Sequence, residues 1–116
     1  MVTMSRSQWQ ESTNRVSDET GTVHYHNSLE QNFPNPFNPT TTLAFSLKNA
    51  ENVNLSIYDV AGRRVRELVN ERRDRGAYKL VWDGQNDAGQ IVASGVYFYK
   101  LTVGSFTDTK KMTILK

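Results

Sequence analysis

The stretch Val96-Tyr-Phe-Tyr-Lys-Leu-Thr-Val103 decides the fold class of this chain of 116 residues. Six of its eight residues are β-branched or aromatic, which are the residue types enriched in strands. Gly95 precedes the stretch and Gly104 follows it, and glycine at such positions marks turns. The stretch therefore predicts a strand bounded by turns, and its three aromatic residues indicate a central position in a sheet.

The same strand period continues on both sides of this stretch, with polar or glycine-containing turns at short intervals. No helical segment separates the strands, and this spacing is typical of an antiparallel sandwich rather than a parallel sheet. We therefore predict an all-β fold, a seven-stranded antiparallel immunoglobulin-like β-sandwich. The predicted strands are residues 40–47, 53–60, 63–69, 77–82, 90–93, 96–103 and 106–115.

A proline-rich segment, Phe33-Pro-Asn-Pro-Phe-Asn-Pro39, marks the start of the domain. Its three prolines exclude a helix and favour an extended chain, which we expect Phe33 and Phe37 to attach to the domain. Residues 1–28 are polar and have no continuous apolar face, as is typical of a linker. The predicted organisation is a flexible N-terminal extension over residues 1–28 and one domain over residues 29–116.

Composition excludes several classes of function. The chain has no cysteine, which excludes a thiol nucleophile, a disulfide framework and a thiolate metal site. No apolar run approaches the ~20 residues of a membrane-spanning helix, and residues 1–20 lack the apolar core of a signal peptide. The net charge of +2 is small for a nucleic-acid binder. His24 and His26 lie in the predicted linker and no GxSxG motif occurs, so we predict no catalytic residue.

One segment, Asp83-Gly-Gln-Asn-Asp-Ala-Gly89, is rich in oxygen ligands. Asp83 and Asp87 are its candidate calcium ligands. The segment lacks the twelve-residue spacing and the final bidentate glutamate of an EF-hand. Asp, Asn and Gly are also the residues that turns favour. We therefore predict an ordinary turn, and no metal or cofactor.

Two further patterns leave alternatives open. The first is a group of six arginines, whose side chains suit bidentate contacts with anions. Three carboxylates lie among these arginines, which favours a solvated hairpin. The aromatic residues at 97–99, together with Trp82, could form a sugar-stacking platform, but aromatic side chains also fill sandwich cores, and we favour the core. The six arginines are Arg63, Arg64, Arg66, Arg72, Arg73 and Arg75.

Four stretches of the sequence together resemble one family. They are LEQNFPNPFNPTTT (residues 29–42), LSIYDVAGR (55–63), WDGQNDAGQ (82–90) running into VASGVYFY (92–99), and KKMTILK (110–116). In this order they resemble the type A C-terminal sorting domain of the type IX (Por) secretion system of Gram-negative bacteria. The middle part is also similar to the immunoglobulin-like domain of the flagellar hook-capping protein.

The resemblance implies a non-catalytic module that acts as a sorting signal. Such domains direct a larger passenger protein across the outer membrane by type IX secretion and to cell-surface attachment. The implied partners are the outer-membrane secretion machinery, a sortase-like peptidase, a covalently linked upstream passenger domain and lipopolysaccharide. The implied location is the periplasm in transit, then the cell surface or the extracellular space. Removal of the domain would require a cut within residues 1–30.

The resemblance also implies two functional segments. Alternation predicts that Met112 and Ile114 face the core, and we expect the charged side chains of Lys110, Lys111 and Lys116 to be exposed. The alternative functions are a carbohydrate-binding or spacer module of a surface glycoside hydrolase, which a solvent-facing aromatic row would indicate, and a flagellar assembly scaffold. The first segment, which we call the proline motif, consists of Pro34, Asn35, Pro36 and Phe37. The second, which we call the closing segment and expect the secretion machinery to recognise, consists of Lys110, Lys111, Met112, Thr113, Ile114, Leu115 and Lys116.

Overall fold

A computed structural model describes residues 15–17 and 23–116, and over these residues it confirms the all-β class with antiparallel sheets. This part of the chain contains nine strands and no helix, and hence no helix long and apolar enough to cross a membrane. The strands are β1 (Arg15–Ser17), β2 (Val23–Tyr25), β3 (Ser28–Leu29), β4 (Thr41–Leu47), β5 (Glu51–Tyr58), β6 (Arg64–Arg73), β7 (Gly76–Trp82), β8 (Gly95–Val103) and β9 (Phe106–Ile114).

Seven of the strands in the described residues form two sheets around one core. The smaller sheet has the order β3-β4-β7, and the larger sheet has the order β6-β5-β8-β9. Buried apolar side chains from both sheets belong to a single cluster, so the sheets pack face to face. Strands β1 and β2 pair with each other in a separate two-stranded sheet.

Alternation of side chains along each strand builds this core. In β8, Tyr97, Tyr99, Leu101 and Val103 are buried, while the residues between them face the other side. Full burial of one large apolar side chain stabilises the fold by about 1.5–3 kcal/mol. The buried apolar residues are Leu29, Phe37, Leu43, Phe45, Leu47, Val53, Leu55, Ile57, Val69, Trp82, Tyr97, Tyr99, Leu101, Val103, Met112 and Ile114.

Six of the seven predicted strands are present, and the predicted strand over residues 90–93 is wrong. Residues 90–93 do not form a strand, because only Ile91 makes an isolated bridge, to Gln85. The short strand β3 (Ser28–Leu29) pairs with β4 instead, and two residues are too few to show a strand period in the sequence. Strands β1 and β2 also lie in the segment that we predicted to be a linker. The division at residue 28 stays a prediction.

The hydroxyl group of Tyr99 attaches the segment before β4 to the larger sheet. Tyr99 lies in β8 and its side chain is fully buried. Its hydroxyl donates to the carbonyl of Glu30 at 2.7 Å and accepts the N–H of Asn32 at 2.7 Å. Burial raises the pKa of the Tyr99 phenol well above its ordinary value. The hydroxyl therefore stays protonated. It is the donor that the Glu30 carbonyl needs and the acceptor that the Asn32 N–H needs.

The buried side chains of Asn32 and Thr41 extend this attachment through the proline motif. Asn32 Nδ2 donates to the carbonyl of Pro34 at 3.1 Å and to Thr41 Oγ1 at 2.9 Å, and the Thr41 hydroxyl donates to the same carbonyl at 2.8 Å. These bonds fix the fold of residues 32–41. The peptide bonds Phe33-Pro34, Asn35-Pro36 and Asn38-Pro39 are cis.

We expect Tyr99→Phe to lower the free energy of unfolding by about 1–3 kcal/mol, because it leaves the Asn32 N–H and the Glu30 carbonyl without their partner. Chemical denaturation of the full chain at neutral pH measures the change. The control is Tyr58→Phe, which removes a hydroxyl from a half-buried side chain on the outer face of the larger sheet. A loss in Tyr99→Phe no larger than in Tyr58→Phe would contradict the role given to this hydroxyl.

Candidate functional site

The proline motif and the closing segment meet in the structure. Phe37 forms a parallel bridge to Ile114. The Phe37 N–H donates to the carbonyl of Thr113 at 3.0 Å, and the Leu115 N–H donates to the carbonyl of Phe37 at 3.1 Å. The Thr113 N–H donates to Asn35 Oδ1 at 3.0 Å. The proline motif therefore occupies the outer edge of β9, the last strand of the larger sheet.

The same edge continues to Gln31, whose Nε2 donates to the carbonyl of Lys111 at 2.8 Å. In an antiparallel strand alternate residues direct their backbone groups to the same side, so residues 111, 113 and 115 present theirs to the outer edge. Residues 31–37 bind groups on all three. Sequence reasoning identified both segments but missed this pairing, because they lie at opposite ends of the domain sequence and neither contains a signal for the other.

Phe37 holds the proline motif in place. Its buried ring packs 5.7 Å from the ring of Trp82, which in turn lies 6.0 Å from Tyr97. The expected attachment by Phe37 is confirmed. The same expectation for Phe33 is wrong, since its side chain is 79% exposed. Phe33 forms a bridge to Thr42, which faces outward, so the ring shares the outer face of the smaller sheet.

The side chains of the closing segment alternate between core and surface. Met112 and Ile114 are buried, which confirms their expected place in the core. Lys111, Leu115 and Lys116 are exposed. Because most backbone groups on the outer edge of this segment are already bonded, these three exposed side chains are the groups most accessible to a partner.

Two of the lysines have partners within the domain. Lys110 is half-buried and lies 3.7 Å from a carboxylate oxygen of Asp108, so its expected exposure is wrong. Alternation places Lys110 on the same side of β9 as the buried Met112, which explains the partial burial. Lys116 Nζ donates to the carbonyl of Val92. Its side chain is thereby fixed near the connection between β7 and β8.

The opposite edge of the larger sheet is covered by the candidate calcium loop. The Asp87 N–H donates to the carbonyl of Val65 at 2.9 Å, and Asp87 Oδ1 accepts the Glu67 N–H at 3.0 Å. Asp87 Oδ2 also lies 3.4 Å from Nε of Arg64. Asp87 thus bonds the outer edge of β6 much as Asn35 and its neighbours bond the outer edge of β9.

Both candidate calcium ligands accept backbone hydrogen bonds. Asp83 Oδ1 accepts the Gln85 N–H at 3.1 Å, and Asn86 Oδ1 between them accepts the Ala88 N–H at 2.9 Å. Among residues 15–17 and 23–116, no three His, Cys, Asp or Glu side chains come close enough to share a metal ion. Bonds of this kind are the chemistry of turns, and they favour the turn interpretation.

The arginines do not form one cluster. They lie at and beyond the two ends of β6, whose ten residues span about 33 Å. At the first end, Arg63 pairs with Asp59 at 3.0 Å and Arg64 pairs with Glu67 at 3.3 Å. At the second end, Arg73 pairs with Glu71 at 2.8 Å. This pairing supports the solvated-hairpin interpretation and gives no concentrated anion site.

Asp59 closes the turn between β5 and β6. Its Oδ1 accepts the N–H groups of Ala61 at 2.9 Å and Arg63 at 3.0 Å, and its Oδ2 accepts Nε of Arg63 at 3.0 Å. The hydrogen bonds from the Arg63 backbone and side chain hold the pKa of the Asp59 carboxyl below its ordinary value. This carboxylate has a structural role in the turn, and its acceptor positions are already in use.

Three of the four aromatic residues considered for a sugar platform lie in the core. Trp82, Tyr97 and Tyr99 are buried, which confirms that expectation for them. Phe98 does not join them, because alternation along β8 turns it to the outer face of the larger sheet. There it lies next to Tyr58, its partner residue on β5.

Comparison with known protein families identifies a match over most of the domain. The model of the FlgD Ig-like domain family matches residues 34–106, which is more than half of the chain. No curated protein matches the sequence.

Solved structures share the fold at low sequence identity. Dimeric latent PorU from Porphyromonas gingivalis is 20% identical with a TM-score of 0.63, over 87% of this chain and 12% of that chain. PorZ from the same organism is 16% identical with a TM-score of 0.56, over 84% of this chain and 14% of that chain. FlgD from P. aeruginosa is 23% identical with a TM-score of 0.51, over 64% of this chain and 58% of that chain. The chain thus spans a small part of PorU and PorZ, and just over half of FlgD.

We expect Asn35→Ala to loosen the closing segment, because the Thr113 N–H loses its acceptor. Amide hydrogen exchange should show reduced protection at Thr113, with a loss of stability of about 0.5–1.5 kcal/mol. The matched control is Asn38→Ala, since this exposed asparagine also precedes a proline. Equal protection of Thr113 in the two variants would show that Asn35 does not hold the edge.

We also expect calcium to leave the melting temperature of the chain unchanged, and a chelator to have no effect. The carboxylates of Asp83 and Asp87 are engaged by backbone N–H groups, so the loop does not depend on an ion. Thermal unfolding with calcium at increasing concentration measures this. A saturable rise in melting temperature, as ligand linkage requires, would make the two residues calcium ligands.

Proposed function

Because the chain belongs to the FlgD Ig-like domain family, we propose that it is a non-catalytic module that directs a larger passenger protein across the outer membrane by type IX secretion and to cell-surface attachment. The contact between the proline motif and the closing segment carries this proposal. These are the two segments that the resemblance to sorting domains marks, and they form one surface at one edge of the larger sheet. We call this surface the sorting patch.

The fold of known secretion components supports the proposal. PorZ is described as an essential bacterial surface component of the type-IX secretion system, and its structure shares this fold. In our proposal the two sheets form the seven-stranded immunoglobulin-like sandwich of a type A sorting domain. Such likeness points to an exported protein, with the periplasm in transit and then the cell surface or extracellular space as its location.

The position of the sorting patch also suits a module that directs a passenger protein. Ser28 pairs with Ser46 near the end of β4, whereas the proline motif precedes the start of β4 and contacts the end of β9. The seven residues of β4 separate the two places by about 23 Å. The chain therefore enters the sandwich, at Ser28, at the opposite end from the patch.

Recognition in this proposal uses side chains. Four backbone groups on the outer edge are bonded within the domain, namely the Lys111 carbonyl, the N–H and carbonyl of Thr113, and the Leu115 N–H. A receptor strand added there would therefore have to displace the proline motif. Lys111, Leu115 and Lys116 remain exposed, and they present two positive charges and one apolar group. We assign recognition to these three side chains.

The proposed partners follow from the same role. They are the outer-membrane secretion machinery, a sortase-like peptidase that cuts within residues 1–30, a covalently linked upstream passenger, and lipopolysaccharide as the attachment point. No nucleic acid is among them, because the net charge of the chain is only +2.

A carbohydrate-binding or spacer module of a surface glycoside hydrolase is the second candidate. It requires a row of aromatic side chains in solvent, and burial of Trp82, Tyr97 and Tyr99 removes most of that row. The neighbouring Tyr58 and Phe98 on the outer face are the observation that keeps this candidate.

An export assay tests the sorting role. A passenger fused ahead of the chain is expressed in a host with the type IX system, and its surface and periplasmic fractions are compared. The test variant combines Lys111→Gln, Leu115→Thr and Lys116→Gln, all at exposed positions where we expect changes within about 0.5 kcal/mol each. Lys110 is left intact because it pairs with Asp108. We expect the variant to melt nearly like the parent and to remain in the periplasm.

The matched control combines Lys48→Gln, Arg72→Gln and Val81→Thr. It also removes two charges and one exposed aliphatic side chain, but away from the sorting patch. We expect the control to be exported. Normal export of the test variant would contradict recognition through these side chains, and normal export after deletion of residues 110–116 would contradict the sorting role itself.

A further inference from the structure

The outer face of the larger sheet has a composition that the sorting role does not explain. Partner residues on neighbouring strands direct their side chains to the same face, so the register shows which side chains lie in one row. These rows contain two aromatic rings, several hydroxyl and amide groups, and mostly positive charge. The first row is Arg64, Tyr58, Phe98 and Lys111, the second is Glu67, Ser56, Lys100 and Thr109, and the third is Asn70, Asn54, Thr102 and Thr107.

Charge on this face is strongly unbalanced. Among the strand residues of this face, four cations face one carboxylate, a net of +3, although the whole chain carries only +2. The single carboxylate, Glu67, is engaged by Arg64 at 3.3 Å and by the amide of Asn54 at 3.2 Å. One loop carboxylate, that of Asp87, also pairs with Arg64 at 3.4 Å. The cations are Arg64, Arg72, Lys100 and Lys111.

The two lysines are available to a ligand. In the described part of the chain, neither Lys100 nor Lys111 forms an ion pair. The ammonium group of Lys100 lies 5.7 Å from the centre of the Tyr58 ring, at cation–π distance. An anion that reaches this ammonium therefore also contacts the aromatic pair.

A groove lies beside these residues. Its volume is about 330 Å³, and its lining consists of Tyr58, Asp59, the 73% exposed Val60, Gly62, Phe98, Lys100 and Thr109. The one carboxylate of this lining, that of Asp59, is paired with Arg63 at 3.0 Å. That volume is at the lower end of the range for sites that bind small molecules, roughly 300–1,000 Å³. The groove therefore has room for a sugar unit, and the flat rows of the sheet continue away from it.

We propose that this face binds an acidic oligosaccharide with carboxylate-bearing sugar units. The carboxylates pair with Lys100 and Lys111, and the apolar face of one sugar ring lies against Tyr58 and Phe98. Sugar hydroxyls both donate and accept hydrogen bonds, as do the side chains of Thr102, Thr107, Thr109 and Asn70 in the other rows. Ser56 of the second row is buried, and its hydroxyl donates to Asn54. This match of hydroxyl-rich rows to a hydroxyl-rich ligand favours a saccharide over other polyanions. The site does not depend on the sorting role.

The test is a titration of the full chain with tetragalacturonate, followed by backbone amide chemical shifts. We expect saturable shifts centred on Tyr58, Phe98, Lys100 and Thr109. The fully methyl-esterified oligomer keeps the rings but loses the charges, and it should bind several-fold more weakly. The double variant Lys100→Gln with Lys111→Gln should weaken binding roughly 5- to 10-fold, as expected for two exposed ion pairs.

The matched control, Lys48→Gln with Arg75→Gln, removes two charges outside this face and should bind like the parent. Phe98→Thr leaves the charge unchanged and should also weaken binding, because the ring no longer supports the sugar. Three results would overturn the proposal: no saturable shift on this face, equal weakening in the control, or equally tight binding of oligothymidylate at the same residues. The last result would assign the face to polyanions in general.

Discussion

A buried hydroxyl group, that of Tyr99, connects the larger sheet to the segment that leads into the smaller one. It lies at the centre of the core and meets one carbonyl and one N–H of the incoming chain, those of Glu30 and Asn32. Without this connection the two groups would lose their partner, at a cost of about 1–3 kcal/mol in the free energy of unfolding. The connection also sets where the proline motif lies, because Asn32 and Thr41, which flank the motif, both donate to the carbonyl of its first residue, Pro34. The Tyr99 hydroxyl thus contributes both to the packing of the core and to the position of the sorting patch.

Coverage of the two edges of the larger sheet is a second feature of this arrangement. An exposed edge strand is a template for pairing with another chain, so proteins cover or interrupt such edges. Here Asn35 and Phe37 cover the end of β9, and Asp87 covers the start of β6. Two segments that look functional in the sequence therefore have a structural role at the sheet edges. They are the proline motif and the Asp83–Gly89 loop. Any recognition by a partner then depends on the side chains that these contacts leave exposed.

Local patterns of the sequence predicted the all-β class, the core of the strands and the burial of Met112 and Ile114, because alternation is a local property. Predictions failed where the outcome depends on distant parts of the chain. The pairing of Phe37 with Ile114 has no local signal, and the two-residue strand β3 exists only because β4 offers it a partner. Residues 90–93 form only the isolated bridge between Ile91 and Gln85. The expected exposure of Lys110 failed because its side chain lies on the same side of β9 as Met112. The expected attachment by Phe33 failed because its ring lies on the outer face of the smaller sheet.

The central claim is that the sorting patch is recognised while the proline motif remains bound to β9. Cysteines introduced by Asn35→Cys and Thr113→Cys are intended to lock the motif in place in the oxidising periplasm. The two residues lie side by side, since the Thr113 backbone N–H donates to the Asn35 side chain. The decisive measurement is the surface fraction of a passenger fused to this locked chain, with disulfide formation verified by the absence of free thiols. The account predicts export equal to that of the parent. Retention of the locked, normally melting chain in the periplasm would contradict it, because the edge of β9 would then have to open to receive its partner.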